Sequence, residues 1–142
     1  MNRAIYLCLF AAALLQDLHA GTDNETAARK AVLDLAGAFS NDGFKLRDGN
    51  FTGAIQPKQS VIVQVNLYAG NEYWFSVGAN DKAKKLGLTI YDETGKPQTS
   101  EPYQDESKTA AGFSPEASGP YYVRIEETAG EPANFCLIYS YK

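Results

Sequence analysis

Val61-Ile62-Val63-Gln64-Val65-Asn66-Leu67-Tyr68-Ala69-Gly70-Asn71-Glu72-Tyr73-Trp74-Phe75-Ser76-Val77 decides the fold. In its first half Val61, Val63, Val65 and Leu67 alternate with Ile62, Gln64, Asn66 and Tyr68. Successive side chains of a strand point to opposite faces, so a period of two marks a strand with one face buried. Ala69-Gly70-Asn71 then supplies turn chemistry, because Gly and Asn tolerate the backbone angles at which a chain reverses. Beyond the turn, Tyr73, Phe75 and Val77 alternate with Trp74, Ser76 and Gly78.

The same pattern repeats towards the C-terminus. Leu86, Leu88 and Ile90 alternate with Gly87, Thr89 and Tyr91, and the turn Asp92-Glu93-Thr94-Gly95 follows, with Gly95 able to take a positive φ. Tyr121, Val123 and Ile125 come after Ser118-Gly119-Pro120, and Phe135, Leu137 and Tyr139 form a last strand. Weaker strands are read around Phe51 to Ile55 and Ala110 to Phe113, while the polar stretch Gln98 to Lys108 is read as a long loop. Seven short β segments separated by turns indicate a mainly β protein built as an antiparallel sandwich.

The N-terminal part follows other periods. Ala28, Val32, Leu35, Ala36 and Phe39 recur at helical spacing, after Thr22 and Glu25 at capping-box spacing and Asn24 as a competing cap. One helix of about four turns is expected, ending near Ser40-Asn41-Asp42-Gly43. Ahead of it, Met1 to Ala20 reads as a secretory signal peptide: Arg3 near the start, an uncharged apolar run from Ala4 to Leu15, and a more polar exit with a cut near Ala20. That run is shorter than the roughly 20 apolar residues a membrane-spanning helix needs. Cys8 lies inside the run and not at its end, which argues against a lipid-anchored cysteine. The expected organisation is therefore 1–20 signal peptide, 21–43 helical segment and 44–142 sandwich domain, secreted or periplasmic after cleavage.

Composition narrows the function. The 142 residues are 44% hydrophobic and 21% charged, with a net charge of −4, so a core is affordable without a disulfide and nucleic acid is an unsuitable partner. Cleavage removes Arg3 with Asp17 and leaves the charge unchanged, but it also removes His19 and Cys8. A mature chain without histidine builds neither a Ser-His-Asp triad nor a Cys-His pair, nor the imidazole sites of catalytic zinc. Cys136, the remaining cysteine, lies in the apolar run Ala133 to Ile138 and reads as packing. Carboxylates alone suffice for glycoside hydrolysis, and Asp92-Glu93, Asp105-Glu106 and Glu126-Glu127 are the pairs available. The glycosylation patterns at Asn24 and Asn50 are treated as chance.

From about Phe51 to Tyr141 the order of strands resembles the bacterial pre-peptidase C-terminal domain. The resemblance is carried by Ala69 to Val77, by Leu86 to Asp92 with Gly95, by Ala111-Gly112-Phe113-Ser114-Pro115, and by Ser118-Gly119-Pro120-Tyr121-Tyr122-Val123-Arg124-Ile125. It implies a jelly-roll-like β-sandwich acting as a non-catalytic appendage of exported enzymes, with calcium or fibrous substrates as ligands in some members. This chain departs from the pattern in its N-terminal helix and in having no enzyme domain beside it. Where relatives often carry acids before the Leu-x-Leu strand, Lys82, Lys84 and Lys85 stand here with only Asp81. Ammonium groups oppose a calcium ion, which prefers several oxygen ligands, so no metal site and no cofactor is expected.

With Tyr73, Phe75 and Val77 facing inward, Trp74 faces outward, and the same rule turns Tyr91, Tyr122 and Arg124 outward. Exposed aromatics suit stacking on sugars or packing on a partner, and these four residues are the candidate binding surface. The competing reading has the helix cover that face and bury them. Tyr103, in the polar loop, is a separate exposed candidate. The chain is thus expected to be an exported non-catalytic binding or accessory module for a polymeric extracellular or envelope ligand, polysaccharide or protein, without stable membrane insertion. The alternative is a small envelope protein whose helix captures another protein, including as an inhibitor of an exported enzyme; a carboxylate-based hydrolase comes third.

Overall fold

A computed structural model describes residues 23–142. The expected signal peptide, with Cys8 and His19, and the Thr22 cap lie outside the described residues. Helix α1 occupies residues 23–40, so Asn24 lies within the helix and is not its cap. The helix closes where expected: Asp42 N–H and Gly43 N–H bond back to the carbonyls of Phe39 and Ser40, and Gly43 takes a φ of 87°.

Nine strands follow: β1 (Lys45–Leu46), β2 (Phe51–Ile55), β3 (Ser60–Leu67), β4 (Tyr73–Ala79), β5 (Ala83–Tyr91), β6 (Glu101–Asp105), β7 (Lys108–Phe113), β8 (Gly119–Gly130) and β9 (Ala133–Tyr141). They form two antiparallel sheets. The six-stranded sheet has the order β1-β9-β4-β7-β6, with β2 also on β9, and the three-stranded sheet has the order β3-β8-β5. From β2 onward the chain crosses between sheets at every connection except the β6–β7 hairpin, which gives the jelly-roll character.

The alternation predicts the core correctly. Val63, Val65, Leu67, Tyr73, Phe75, Val77, Leu86, Ile90, Tyr121, Val123, Ile125, Phe135, Leu137 and Tyr139 form one buried cluster between the sheets. The loop expected from Gln98 to Lys108 is instead partly a strand. All five side chains of β6 are exposed on the sheet edge, so no face is buried and no period of two is written into its sequence. Its pairing to β7 comes from backbone bonds, with the Thr109 hydroxyl donating to the Tyr103 carbonyl at 3.0 Å.

The helix rests on the outer face of the six-stranded sheet. Ala28, Val32 and Ala36 pack with Cys136 and Ile138 in a second buried cluster. The contact is close enough to involve backbone: a Cβ on Gly78 would lie 2.5 Å from the Val32 nitrogen and 3.0 Å from the Ala28 carbonyl oxygen. Small residues around it, Ser76, Ala110 and Ser140, are buried as well. This explains why β4 and β9 are buried along nearly their whole length, one face against the core and the other under α1.

Gly78→Ala is expected to force the helix off its seat, at a cost of about 1–3 kcal/mol for an overpacked contact. Urea unfolding should show the lower midpoint, and thiol labelling should show Cys136 reacting faster. Gly37 provides the control: it faces open space on the helix, and Gly37→Ala should stabilise by roughly 0.5–1 kcal/mol.

Candidate functional site

The outer face of the three-stranded sheet is open, and its composition follows from the alternation of the strands. Across it, cross-strand pairing sets Gln64 beside Tyr122 and Tyr122 beside Tyr91 in one row, and Ile62 beside Arg124 and Arg124 beside Thr89 in the next. Ile62 is 61% exposed, an unusual place for so large an apolar side chain. Ile62, Tyr91, Tyr122 and Arg124 together line a shallow groove of about 410 Å³, bounded by Asp92, Glu93 and Gly95 of the β5 turn.

Arg124 is held within this face. Its Nη2 donates to Glu126 Oε2 at 2.7 Å, and the neighbouring Tyr91 side chain first, then the Glu126 charge, raise the guanidinium pKa. Gly87 makes this arrangement possible, because a Cβ there would stand 3.1 Å from Glu126 Cγ. The bounding turn is rigid. Asp92 Oδ1 accepts from the Thr94 hydroxyl at 2.7 Å, from Thr94 N–H at 2.9 Å and from Lys96 N–H at 3.0 Å, while Oδ2 accepts from Gln98 Nε2 at 3.1 Å. Those bonds, the Thr94 hydroxyl first, hold the Asp92 carboxyl below its ordinary range. Gly95 supplies the positive φ, 83°, as expected.

Trp74 stands apart from this group. It faces outward from its strand, but that strand belongs to the other sheet, whose outer face carries the helix. Its ring stacks on Phe39 of α1 with centroids 4.3 Å apart and planes 9° off parallel. A Cβ on Gly112 would fall 2.9 Å from Trp74 Cζ2, so the ring is wedged between helix and strand. The four residues grouped by sequence thus divide between two faces: Tyr91, Tyr122 and Arg124 come together on one, and Trp74 braces the helix on the other. Tyr103 lies on the exposed edge strand β6, paired with Ala110 at the rim of the helix-bearing face.

The carboxylate pairs do not converge on a shared site. Glu126 and Glu127 point to opposite faces of β8: Glu126 towards Arg124, Glu127 into the sandwich. Glu127 is 0% exposed, and among the described residues neither of its oxygens has a hydrogen-bond partner. Its Oε1 lies against the backbone of residues 82–84 and Gly130, where a Cβ on Gly130 would meet Oε1 and the Lys82 carbonyl oxygen, both at 2.6 Å. Burial raises the Glu127 pKa above the ordinary carboxylate range. Sequence reasoning could not find this, although Glu127 extends the inward stripe Tyr121, Val123, Ile125. Burial also pushes the Cys136 thiol up, against the opposing influence of Arg29. Among the described residues no group of three His, Cys, Asp or Glu side chains is placed to hold a metal ion.

No protein-family model matches the chain, and no curated protein does. Three solved structures illustrate the similarity found, each with a TM-score below 0.5. A periplasmic inhibitor of g-type lysozyme from Aeromonas hydrophila is 15% identical, over 66% of this chain and 85% of that one, with a TM-score of 0.48. The mitogen of Yersinia pseudotuberculosis is 17% identical, over 64% and 82%, with a TM-score of 0.47. A xylan-binding domain from Paenibacillus barcinonensis is 14% identical, over 70% and 84%, with a TM-score of 0.37. Likeness at this level carries no inference about fold or ligands.

Glu127 yields a pH prediction. Its folded-state pKa is raised, so its contribution to stability is full below the ordinary carboxylate range and is lost as pH rises towards the raised value. Urea midpoints across the acid-to-neutral range should show the Glu127→Gln variant, which stays uncharged, gaining on the wild type as pH rises. Parallel pH profiles for the two proteins would refute the assignment.

Proposed function

We propose that this chain is an exported, non-catalytic binding module of the pre-peptidase C-terminal type, which takes a polysaccharide strand on the outer face of its three-stranded sheet. One observation carries the reading: of the two outer faces, the helix covers one, and the other is left open with two tyrosines in adjacent register and Ile62 exposed beside them. Tyrosine rings present flat apolar area at low entropic cost and match the faces of sugar rings. Planar groups around them, the Arg124–Glu126 pair and Gln64, offer donors and acceptors for hydroxyl groups. Export rests on the leader-like pattern of Met1 to Ala20. Among the described residues no helix is long and apolar enough to cross a membrane.

The carboxylate hydrolase is disfavoured by geometry. Asp92 is fully engaged in its turn, Asp105 and Glu106 belong to the exposed β6–β7 turn, and Glu126 and Glu127 face opposite ways. Capture of a protein partner through the helical segment has one observation in its favour. Leu33 and Leu46 are exposed beside a cleft of about 160 Å³ that Ala36 and Phe44 also line.

Co-sedimentation of the mature protein with chitin, cellulose, peptidoglycan and collagen, with calcium and with chelator, tests the proposal. Retention on a polysaccharide is expected without dependence on calcium. Tyr122→Ala should weaken it roughly tenfold, the scale of one well-placed aromatic contact of about 1–2 kcal/mol. Leu33→Asp should leave it unchanged. Retention that survives Tyr122→Ala and is lost in Leu33→Asp would move the site to the helix.

A further inference from the structure

The groove does not end at the β5 turn. Asp92 and Glu93 line it on one side and also line a second hollow of about 250 Å³, together with Thr94, Gln98, Glu116 and Pro120. No Lys or Arg side chain lines that hollow. Asp92 is engaged in four hydrogen bonds and has Lys96 near enough to favour its charge, so it adds little free negative potential. Glu93 and Glu116 are exposed and belong to no ion pair among the described residues. On the groove side the single cation, Arg124, is already matched by Glu126. A ligand strand running from the tyrosine pair past the turn therefore meets apolar ring faces first and unpaired carboxylates next, with Lys96 of the intervening turn the cation set beside Asp92.

Resting on the polysaccharide reading above, we propose that the strand is built of amino sugars with free, protonated amines, and that Glu93 and Glu116 are the residues that select it. The charge is complementary: an ammonium group next to a ring that stacks on Tyr122 or Tyr91 finds a carboxylate, whereas an acidic polysaccharide is repelled by both glutamates and by the net charge of −4. A basic peptide has the same charge but a poorer fit. Peptides join sheets by main-chain bonds at an edge, and the centre of this face is β8, which is already paired on both sides. The Asp92 hydrogen bonds hold the backbone that carries Glu93, so only its side chain is ordered by the contact.

Calorimetric titration of the mature protein with a glucosamine hexamer, its N-acetylated counterpart and a glucose hexamer at mildly acidic pH separates the possibilities. Exposed ion pairs are worth about 0.2–1 kcal/mol each, so the glucosamine hexamer should bind roughly fivefold tighter than the other two. Added salt, or Glu93→Gln with Glu116→Gln, should remove that margin, while Tyr122→Ala weakens all three. Equal binding of the three hexamers, each lost in Tyr122→Ala, would overturn the amine selection and leave the polysaccharide reading standing. Binding of none of them, together with no retention on any insoluble polysaccharide, would overturn the polysaccharide reading itself. A lysine-rich peptide that binds more tightly than the glucosamine hexamer and depends on the same glutamates would replace the sugar with a peptide.

Discussion

Everything outside the core depends on the absence of a side chain at Gly78. Helix α1 lies so close to β4 that its backbone, at Val32 and Ala28, occupies the space a Cβ would need. Close approach lets three small or medium residues of the helix, Ala28, Val32 and Ala36, cover the middle of a sheet face together with Cys136 and Ile138. The stack of Phe39 on Trp74 then fixes the C-terminal end of the helix, a contact worth about 0.5–1.5 kcal/mol beyond the area it buries. Sealing has a cost: the hydroxyls of Ser76 and Ser140 are buried without partners. Small floor residues are what the close approach requires, and a hydroxyl is tolerated there where a larger side chain is not.

With the helix committed to one sheet, the other is free to present chemistry. The three-stranded sheet carries its polar and aromatic residues outward in register, and local devices keep them in order: Gly87 gives Glu126 room, Glu126 and Tyr91 hold Arg124, and Asp92 ties the turn that walls the groove. These features suit recognition because they are preorganised, half-buried and open to one side beside the exposed Ile62. The carboxyl that burial raises, Glu127, is inward and enclosed, where it can be felt in stability but cannot reach a ligand.

The core was most legible in the sequence where a strand buries one face and exposes the other, as in Val61 to Leu67. Where burial is two-sided or absent, that signal fades. In β6 no face is buried, and Glu101 to Asp105 looked like loop. In β4 and β9 both faces are buried, and the outward set Trp74, Ser76, Gly78 and Cys136, Ile138, Ser140 is small or apolar, in contrast to Tyr122, Arg124 and Glu126 on β8. That contrast marks which sheet the helix covers, yet Trp74 was grouped with Tyr91, Tyr122 and Arg124 because alternation says which side of a strand a residue takes and not which sheet the strand joins. The burial of Glu127 was invisible for a related reason: an inward position at the end of a strand is core or solvent depending on what closes the sandwich there, and the 82–84 segment closes it.

The measurement that most directly tests the division between a covered face and a binding face is oxidative footprinting of the mature protein, free and bound to an insoluble polysaccharide that retains it. Tyr91 and Tyr122 are expected to be protected on binding, while the labelling of Trp74 and Phe39 is the same in both states. Protection of Trp74 and the helix, with Tyr91 and Tyr122 unchanged, would contradict it.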